Sequence, residues 1–273
     1  MKIQVKDFKL KDSLLSGQCF RVTEEIDDSF TVILFDRVIN IKQDSDGIEV
    51  HSNIETDLER IIRDYFEFDR DYNTIYNKLK VDMVMKDCID RCKGYKILKQ
   101  NKFEMCISYI ISQNNSVKRI SNSINKLCTL RGKEVVFNNK KYYLFPTYEE
   151  LENITCDELR SLGIGFRDKY ILDFLVKYNN LIDLNKLSTS DALTELMKVK
   201  GIGLKVASCI LLFGYSRFNV YPIDTWVKQF ISNKYHIKND QKTIELFTRE
   251  KFAELSGIAL QYMYHSERNK IEM

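Results

Sequence analysis

The sequence has no pair of cysteines with the C-x-x-C spacing, and its seven cysteines are odd in number and scattered. This pattern fits neither a disulfide framework nor a zinc site, so we expect reduced thiols and no bound metal. No apolar run approaches the roughly 18 residues of a membrane span, and residues 1–7 lack the apolar core of a signal peptide. The sequence thus predicts a cytoplasmic protein with no membrane partner.

The sequence also has little net charge, only +3 over 273 residues, which by itself argues nothing about nucleic acid. The charge is unevenly distributed, however. Residues 1–100 carry 17 basic and 20 acidic side chains, whereas residues 101–145 carry 8 basic and 2 acidic ones. A local basic segment is typical of a surface that contacts phosphate. Such segments are more often simply solvated, and both interpretations stay open at this point.

Short runs of β-branched and aromatic residues occur within the first 55 residues, at Phe30–Phe35, Arg37–Ile41 and Gly47–Val50. Turn-forming residues separate them, which predicts an antiparallel sheet. From about Glu55 onward the apolar residues recur at helical spacing. We therefore predict an α+β fold, with a small N-terminal antiparallel sheet packed on a mostly helical, two-lobed body. The expected division is residues 1–100 and 101–273.

Residues 196–209 are the most informative stretch. They predict a helix ending at Val199, a tight turn over Gly201-Ile202-Gly203, and a second helix from about Leu204, since glycine permits the positive φ angles of a sharp turn. The turn leaves amides bare at the positive end of a helix dipole, an arrangement that suits a phosphate oxygen. Gly201 and Gly203 are thus expected to bind the DNA backbone.

The order L-x-x-V-x-G-I-G-x-K-x-A followed by P-I-D, over about residues 196–226, resembles the helix-hairpin-helix motif of the endonuclease III superfamily of DNA glycosylases. The resemblance implies that Lys205 is the nucleophile of a bifunctional enzyme and that Asp224 stabilises a cationic sugar. Considered alone, a lysine is usually solvated and an aspartate before a helix is usually an N-cap. The four-cysteine loop that holds an iron-sulfur cluster in some members is missing, so no cofactor is expected.

The segment S-G-Q-x-F-R at residues 16–21 narrows the resemblance to the 8-oxoguanine DNA glycosylases. In that family the carbonyl of the glycine that matches Gly17 accepts the N7 hydrogen, which only the oxidised base carries. Normal guanine presents an acceptor at N7, so a fixed carbonyl would oppose it. The resemblance also implies that Cys209 lines the pocket against the base, although a cysteine beside an apolar stripe is more often core packing.

Two further segments resemble the parts of this family that contact the opposite base. Asn114 and Arg119 match residues that fill the vacated space in the duplex and contact the orphaned cytosine. Phe166 and Arg167 match an L-G-x-G-[YF]-R segment, in which the aromatic ring is a wedge and the arginine hydrogen-bonds the base. Without the resemblance, Asn114-Asn115 is more readily interpreted as a self-capped helix break.

The C-terminal run resembles the family's last helix, G-x-A-Q-x-x-x-F, but imperfectly. Leu260 stands in place of the glutamine that reads the base edge, Tyr264 replaces the stacking phenylalanine, and Gln261 follows one position later. A shift by one residue would turn the helix by roughly 100° and lose the stack. Since stacking is worth roughly 1 to 3 kcal/mol and a neutral hydrogen bond 0.5 to 1.5, we expect the unshifted register, with Leu260 and Tyr264 in the pocket.

The resemblance covers the chain from Ser16 to Tyr264. It implies a monomeric, nucleoid-associated enzyme that excises 8-oxoguanine from duplex DNA through a lysine Schiff base and then cleaves the strand by β-elimination. Three alternatives stay open: a monofunctional glycosylase, a glycosylase for another damaged purine, and a non-enzymatic helix-hairpin-helix DNA-binding protein. Lys205 argues against the first, and its co-occurrence with Asp224 argues against the third. The departure at Leu260 keeps the second in play.

Overall fold

The computed structural model describes the backbone of residues 1–271 and the side chains of residues 1–268. It contains a five-stranded antiparallel sheet near the N-terminus and a body made mostly of helices, which confirms the predicted α+β class. Between residues 1 and 271, no helix is long and apolar enough to cross a membrane.

The N-terminal sheet has the strand order β1-β5-β4-β3-β2, and all neighbouring strands are antiparallel. The strands are β1 (Lys2–Gln4), β2 (Val22–Glu24), β3 (Phe30–Leu34), β4 (Arg37–Gln43) and β5 (Gly47–Ser52). The sequence predicts β3, β4 and β5. It does not reveal β1 and β2, because three residues are too few to show an alternating pattern.

Helices form most of the remaining structure. They are α1 (Leu10–Leu14), α2 (Leu58–Tyr65), α3 (Tyr72–Leu79), α4 (Met83–Arg91), α5 (Lys102–Ser112), α6 (Val117–Arg131), α7 (Tyr148–Leu151), α8 (Cys156–Ser161), α9 (Asp168–Tyr178), α10 (Thr189–Leu196), α11 (Leu204–Tyr215), α12 (Thr225–Tyr235), α13 (Gln241–Phe252) and α14 (Ser256–Ile271). Many begin at a polar N-cap, such as Asp71 of α3 and Asn101 of α5, whose side chains accept a backbone N–H of the first turn.

The buried apolar residues form two clusters. The smaller lies between the inner face of the sheet and helices α1 and α2, where Val32, Ile39 and Ile62 are almost fully buried. The larger fills the helical body, and α3 and α4 contribute to it rather than to the sheet. Helix α4 packs directly against α14. Packing therefore places residues 72–91 with the helical body.

The basic segment after α6 folds as a hairpin, β6 (Glu134–Phe137) and β7 (Lys140–Tyr143), that the sequence analysis does not predict. Its two turn residues, Asn138 and Asn139, both have positive φ (48° and 60°). Asparagine tolerates that conformation, and two such residues between apolar and aromatic runs are a recognised hairpin signal. The Asn138-Asn139 pair is thus the feature of the sequence that indicates this hairpin.

A carboxylate on α5 makes the stability of the fold depend on pH. Burial raises the pKa of Glu104 to about 7, and the positive charge of Arg21 only partly opposes this rise. A carboxyl group with a raised folded-state pKa contributes stability that is present at low pH and is lost as pH rises through that pKa. The loss should occur between about pH 4.5 and 7.

We predict that Glu104→Gln, which cannot ionise, raises the free energy of unfolding by about 1 to 3 kcal/mol at pH 8 and changes it little at pH 5. Urea unfolding at the two pH values measures this. The exposed Glu254→Gln is the control and should show no such difference between pH 5 and 8. An effect of Glu104→Gln that is equal at both pH values would contradict the role of burial.

Candidate active site

The helix-hairpin-helix turn joins α10 to α11 and uses its two glycines differently. Gly201 has φ +84°, and a Cβ there would lie 2.3 Å from the ring of Tyr170. Gly203 has φ −92°, and a Cβ there would have no other heavy atom within 4 Å. The expectation that both glycines adopt a positive φ is therefore wrong for Gly203. Gly201 allows the turn and its close packing, whereas Gly203 only keeps the entry to α11 uncovered.

The N-terminus of α11 presents its amides outward. Its N-cap, the exposed Gly203, has no side chain that could accept their hydrogens. Unsatisfied N–H groups at a helix N-terminus, together with the helix dipole, form a site for an anion. The predicted backbone-binding role of Gly201 and Gly203 is consistent with this geometry and stays a prediction.

Lys205 lies in the first turn of α11 and is half-buried. Within residues 1–268 its ammonium group makes no hydrogen bond or ion pair. Asp224 is the N-cap of α12, where its Oδ1 accepts the N–H of Val227 at 2.8 Å, as the sequence predicts. Because one oxygen holds the helix, the other remains available for a second interaction. The carboxylate is thus fixed in place by the element that it caps.

Cys209 shows that these two charged groups converge. The thiol is buried, and burial raises its pKa, while the positive charge of Lys205 lowers this pKa and the negative charge of Asp224 raises it. The N–H of Tyr221 donates to Ser208 Oγ at 3.1 Å and so ties the segment before Asp224 to α11. The structure therefore brings Lys205, Cys209 and Asp224 to one place.

Gly17 lies in a loop between α1 and β2 and has φ +86°. The adjacent Gln18 side chain is fully engaged: Nε2 donates to the carbonyls of Ser13 and Lys96, and Oε1 accepts the N–H of Leu98. The Gln18 carbonyl in turn accepts Gln100 Nε2 at 2.7 Å. These bonds fix the loop to the strand-like segment before α5. The sequence does not identify Gln18 as a positioning residue, although Gln18 lies within the S-G-Q-x-F-R segment.

Helix α14 places Leu260 and Tyr264 on one face. Leu260 is completely buried, and Tyr264 and Gln261 are half-buried. Burial raises the pKa of Tyr109, and Cys209 and Tyr264 are both among the groups near enough to its hydroxyl to affect that pKa. Tyr264 therefore lies on the side of α14 that faces Tyr109 and Cys209, as the unshifted register requires. The roles of Leu260 and Tyr264 in base recognition stay predictions.

The four residues expected at the opposite base form a second cluster. Asn114, with φ +46°, and Arg119 are exposed, and the Phe166 ring is 54% exposed. The Arg167 guanidinium carbon lies 4.6 Å from the centre of that ring, and the charge of Arg119 helps to lower the pKa of Arg167, although burial lowers it more. An exposed aromatic ring beside a guanidinium suits insertion beside a base.

Arg167 has a structural role that the sequence does not predict. Its side chain is buried and donates to the carbonyls of Gln113, Asn114 and Ile164. Most of its N–H groups are thus used on the protein backbone, so Arg167 shapes the turn that presents Asn114. Contact between Arg167 and the opposite base stays a prediction, and Asn114, Arg119 and Phe166 are the exposed members of the cluster.

No group of three or more histidine, cysteine, aspartate or glutamate side chains is arranged to hold a metal within the described residues. The chemistry available at the site is that of a lysine amine, a carboxylate and a thiol.

Comparison with known families agrees with this geometry. Residues 107–254 match the model of the HhH-GPD superfamily of base excision DNA repair proteins, and residues 1–106 match the N-terminal domain of 8-oxoguanine DNA glycosylase. The fold and the helix-hairpin-helix thus define a DNA repair protein of the HhH-GPD superfamily.

Three individual relatives show which family of this superfamily the chain resembles. The structure of MBOgg1 in complex with a low affinity DNA ligand is 36% identical, with 98% of this chain and 95% of that chain covered and a TM-score of 0.93. The Clostridium acetobutylicum 8-oxoguanine glycosylase/lyase, solved with dsDNA containing cytosine opposite to 8-oxoG, is 32% identical over 99% and 98%, with a TM-score of 0.92. The probable N-glycosylase/DNA lyase of Methanothermobacter thermautotrophicus is 26% identical over 98% and 96%. The chain belongs to the 8-oxoguanine DNA glycosylase family, which confirms the predicted resemblance.

The two glycines of the hairpin provide a matched pair of variants. We predict that Gly201→Ala lowers the free energy of unfolding by more than about 2 kcal/mol, since it combines a positive φ with overlap of the Tyr170 ring. Gly203→Ala should cost about 1 kcal/mol or less, as alanine is only a poorer N-cap. Urea unfolding of both variants tests this. Equal losses would mean that the turn geometry described here is wrong.

Proposed function

We propose that this protein is a bifunctional DNA glycosylase that excises 8-oxoguanine from duplex DNA and then cleaves the strand by β-elimination. It would act as a monomer at the nucleoid, where its duplex substrate lies. The observation that carries the proposal is that Lys205, in the first turn of α11, and Asp224, the N-cap of α12, both lie close enough to the Cys209 thiol to shift its pKa, in opposite directions. Family membership and the lyase activity named for its relatives support it.

The reaction begins with an extruded nucleotide, because a base within the stack exposes no sugar carbon to attack. The unprotonated amine of Lys205 attacks C1′, and the bond from C1′ to the base breaks. Opening of the sugar gives a Schiff base between Lys205 and C1′. Loss of a proton from C2′ then expels the 3′ phosphate. A lysine without a competing ion pair, at the end of a buried helix, suits this role.

Asp224 stabilises the positive charge that develops on the sugar as the base leaves. A carboxylate held by a helix cap needs no reorganisation during the reaction, which is the physical basis of electrostatic preorganisation. The neighbouring Cys209 thiol stays neutral because burial raises its pKa. It therefore offers the base a soft, uncharged surface.

Recognition is divided between two surfaces. Gly17 supplies a carbonyl to the N7 hydrogen, Cys209 and Tyr264 lie against the faces of the base, and Leu260 packs beneath them. On the DNA side, Phe166 is the wedge, and Asn114, Arg119 and Arg167 contact the orphaned cytosine. Val117 Cγ2 lies 3.7 Å from the Cβ position of Gly17, so the start of α6 links the two surfaces.

The alternatives lose support for specific reasons. A monofunctional glycosylase has no use for Lys205, and a DNA-binding protein without activity has no use for Asp224 beside it. One observation still favours a glycosylase for another damaged purine. Leu260, at the position where an amide would hydrogen-bond the edge of the base, is fully buried.

We predict that borohydride traps the wild-type protein covalently on duplex DNA containing 8-oxoguanine opposite cytosine, and that Lys205→Gln abolishes the adduct and strand cleavage but not lesion binding. Denaturing electrophoresis of labelled DNA measures both products. Undiminished cleavage by the variant would exclude Lys205 as the nucleophile.

Lys96 provides a matched control. Burial lowers the pKa of Lys96 to about 8, so a search by pKa alone would choose it as the nucleophile. Its Nζ, however, lies 3.9 Å from the centre of the Tyr72 ring in a buried site with no room for a sugar. Lys96→Met should therefore keep the borohydride adduct. Loss of the adduct by this variant, with the fold intact, would transfer the assignment from Lys205 to Lys96.

A separate prediction concerns Asp224. Asparagine is as good an N-cap as aspartate, so Asp224→Asn removes the charge but keeps the start of α12. We expect base release to slow more than tenfold, about 1.4 kcal/mol or more, with little change in affinity for a stable abasic analogue. Single-turnover excision and gel-shift titration measure the two quantities. A parallel fall in both would show that Asp224 acts structurally.

A further inference from the structure

Leu260, Tyr264 and Arg268 follow one another at four-residue intervals along α14 and so share one face of the helix. Leu260 is fully buried, while Tyr264 and Arg268 are half-buried. The face that carries the expected base-packing residues thus continues into a cationic side chain. No motif in the sequence draws attention to Arg268.

The Arg268 guanidinium lies against the Gly17 loop. Its Nη1 is 3.0 Å from the position that a Cβ atom on Gly17 would take. Gly17 has φ +86°, so its bare backbone is accessible from this side only because no side chain is present. A strong hydrogen-bond donor from α14 therefore lies beside the residue whose carbonyl is expected to accept the N7 hydrogen.

We propose, on the basis of the function proposed above, that Arg268 is a specificity-determining residue that contacts the extruded base. Oxidised guanine carries a hydrogen at N7, and the carbonyl oxygens on C6 and C8 flank that hydrogen on the same edge of the base. An acceptor and a guanidinium donor placed side by side complement one N–H and one adjacent oxygen. Arg268 thus supplies the polar contact that Leu260 does not.

The charge of Arg268 also determines which purines are rejected. A purine alkylated at N7 has no hydrogen there and carries a positive charge. Placing it beside a guanidinium in a partly buried site brings two like charges together, which is costly. Arg268 therefore separates oxidised purines, which are neutral, from cationic alkylated ones, and so decides between two of the substrate classes that the sequence leaves open.

The test compares two damaged bases in the same duplex, 8-oxoguanine and N7-methylguanine, each opposite cytosine. In single-turnover excision, Arg268→Gln should slow release of 8-oxoguanine at least tenfold and leave release of N7-methylguanine unchanged or faster. The ratio of the two rates should fall at least tenfold. Arg268→Lys keeps the charge and should preserve rejection of N7-methylguanine, and Arg60→Gln, an exposed arginine on α2, should leave both rates unchanged.

Affinity for a duplex containing a stable abasic analogue separates base recognition from folding. This ligand has no base, so Arg268→Gln should bind it as well as the wild type does. If both excision rates and abasic binding fall together, Arg268 supports the fold and the inference is overturned; an unchanged rate ratio overturns it as well. If the wild type releases no 8-oxoguanine, the proposed function itself fails.

Discussion

The constraint on which the site depends is the burial of α11. Every residue from Val206 to Gly214 is buried, so this helix is enclosed by its neighbours on all sides, notably α5 and α10. A helix packed in this way cannot rotate or slide without opening cavities in a dense interior. Only its two ends reach the surface, and the first turn carries Lys205. The backbone position from which the Lys205 amine extends is thus fixed by apolar packing rather than by bonds to the amine itself.

The rest of the site is attached to α11 and to the segment that follows it in the chain. The Ser208 hydroxyl holds the segment before Asp224, and the N–H of Gly257 at the start of α14 donates to the Phe218 carbonyl at 2.6 Å. A side chain on Gly257 would overlap Val220 at 2.8 Å. The glycine therefore lets α14 approach closely, which sets the depth at which Tyr264 and Arg268 lie. Gly257, which matches a family motif in the sequence, is therefore a point in the structure where two segments pack closely.

The sequence predicts the parts of the structure that local chemistry determines. Glycine and N-cap preferences predict the turn between α10 and α11, the start of α11 at Leu204 and the Asp224 cap. The apolar runs predict the three longer strands. The missed parts depend on partners distant in the chain. Nothing near Arg167 shows that its donors will meet the carbonyls of Gln113 and Asn114, more than 50 residues away. Arg268 likewise meets Gly17 only through the packing of the first and last elements.

The bonds of Arg167 have a consequence for the thermodynamics of association. They hold the Asn114 turn in its left-handed conformation through contacts within the protein alone. A protein surface that is already ordered loses little conformational entropy when it docks, so more of the contact energy remains as affinity. The free-energy cost of rearrangement then falls mainly on the DNA, which must bend and extrude a nucleotide from the stack. A protein organised in this way would discriminate between duplexes by how easily each one deforms, before any base reaches the pocket.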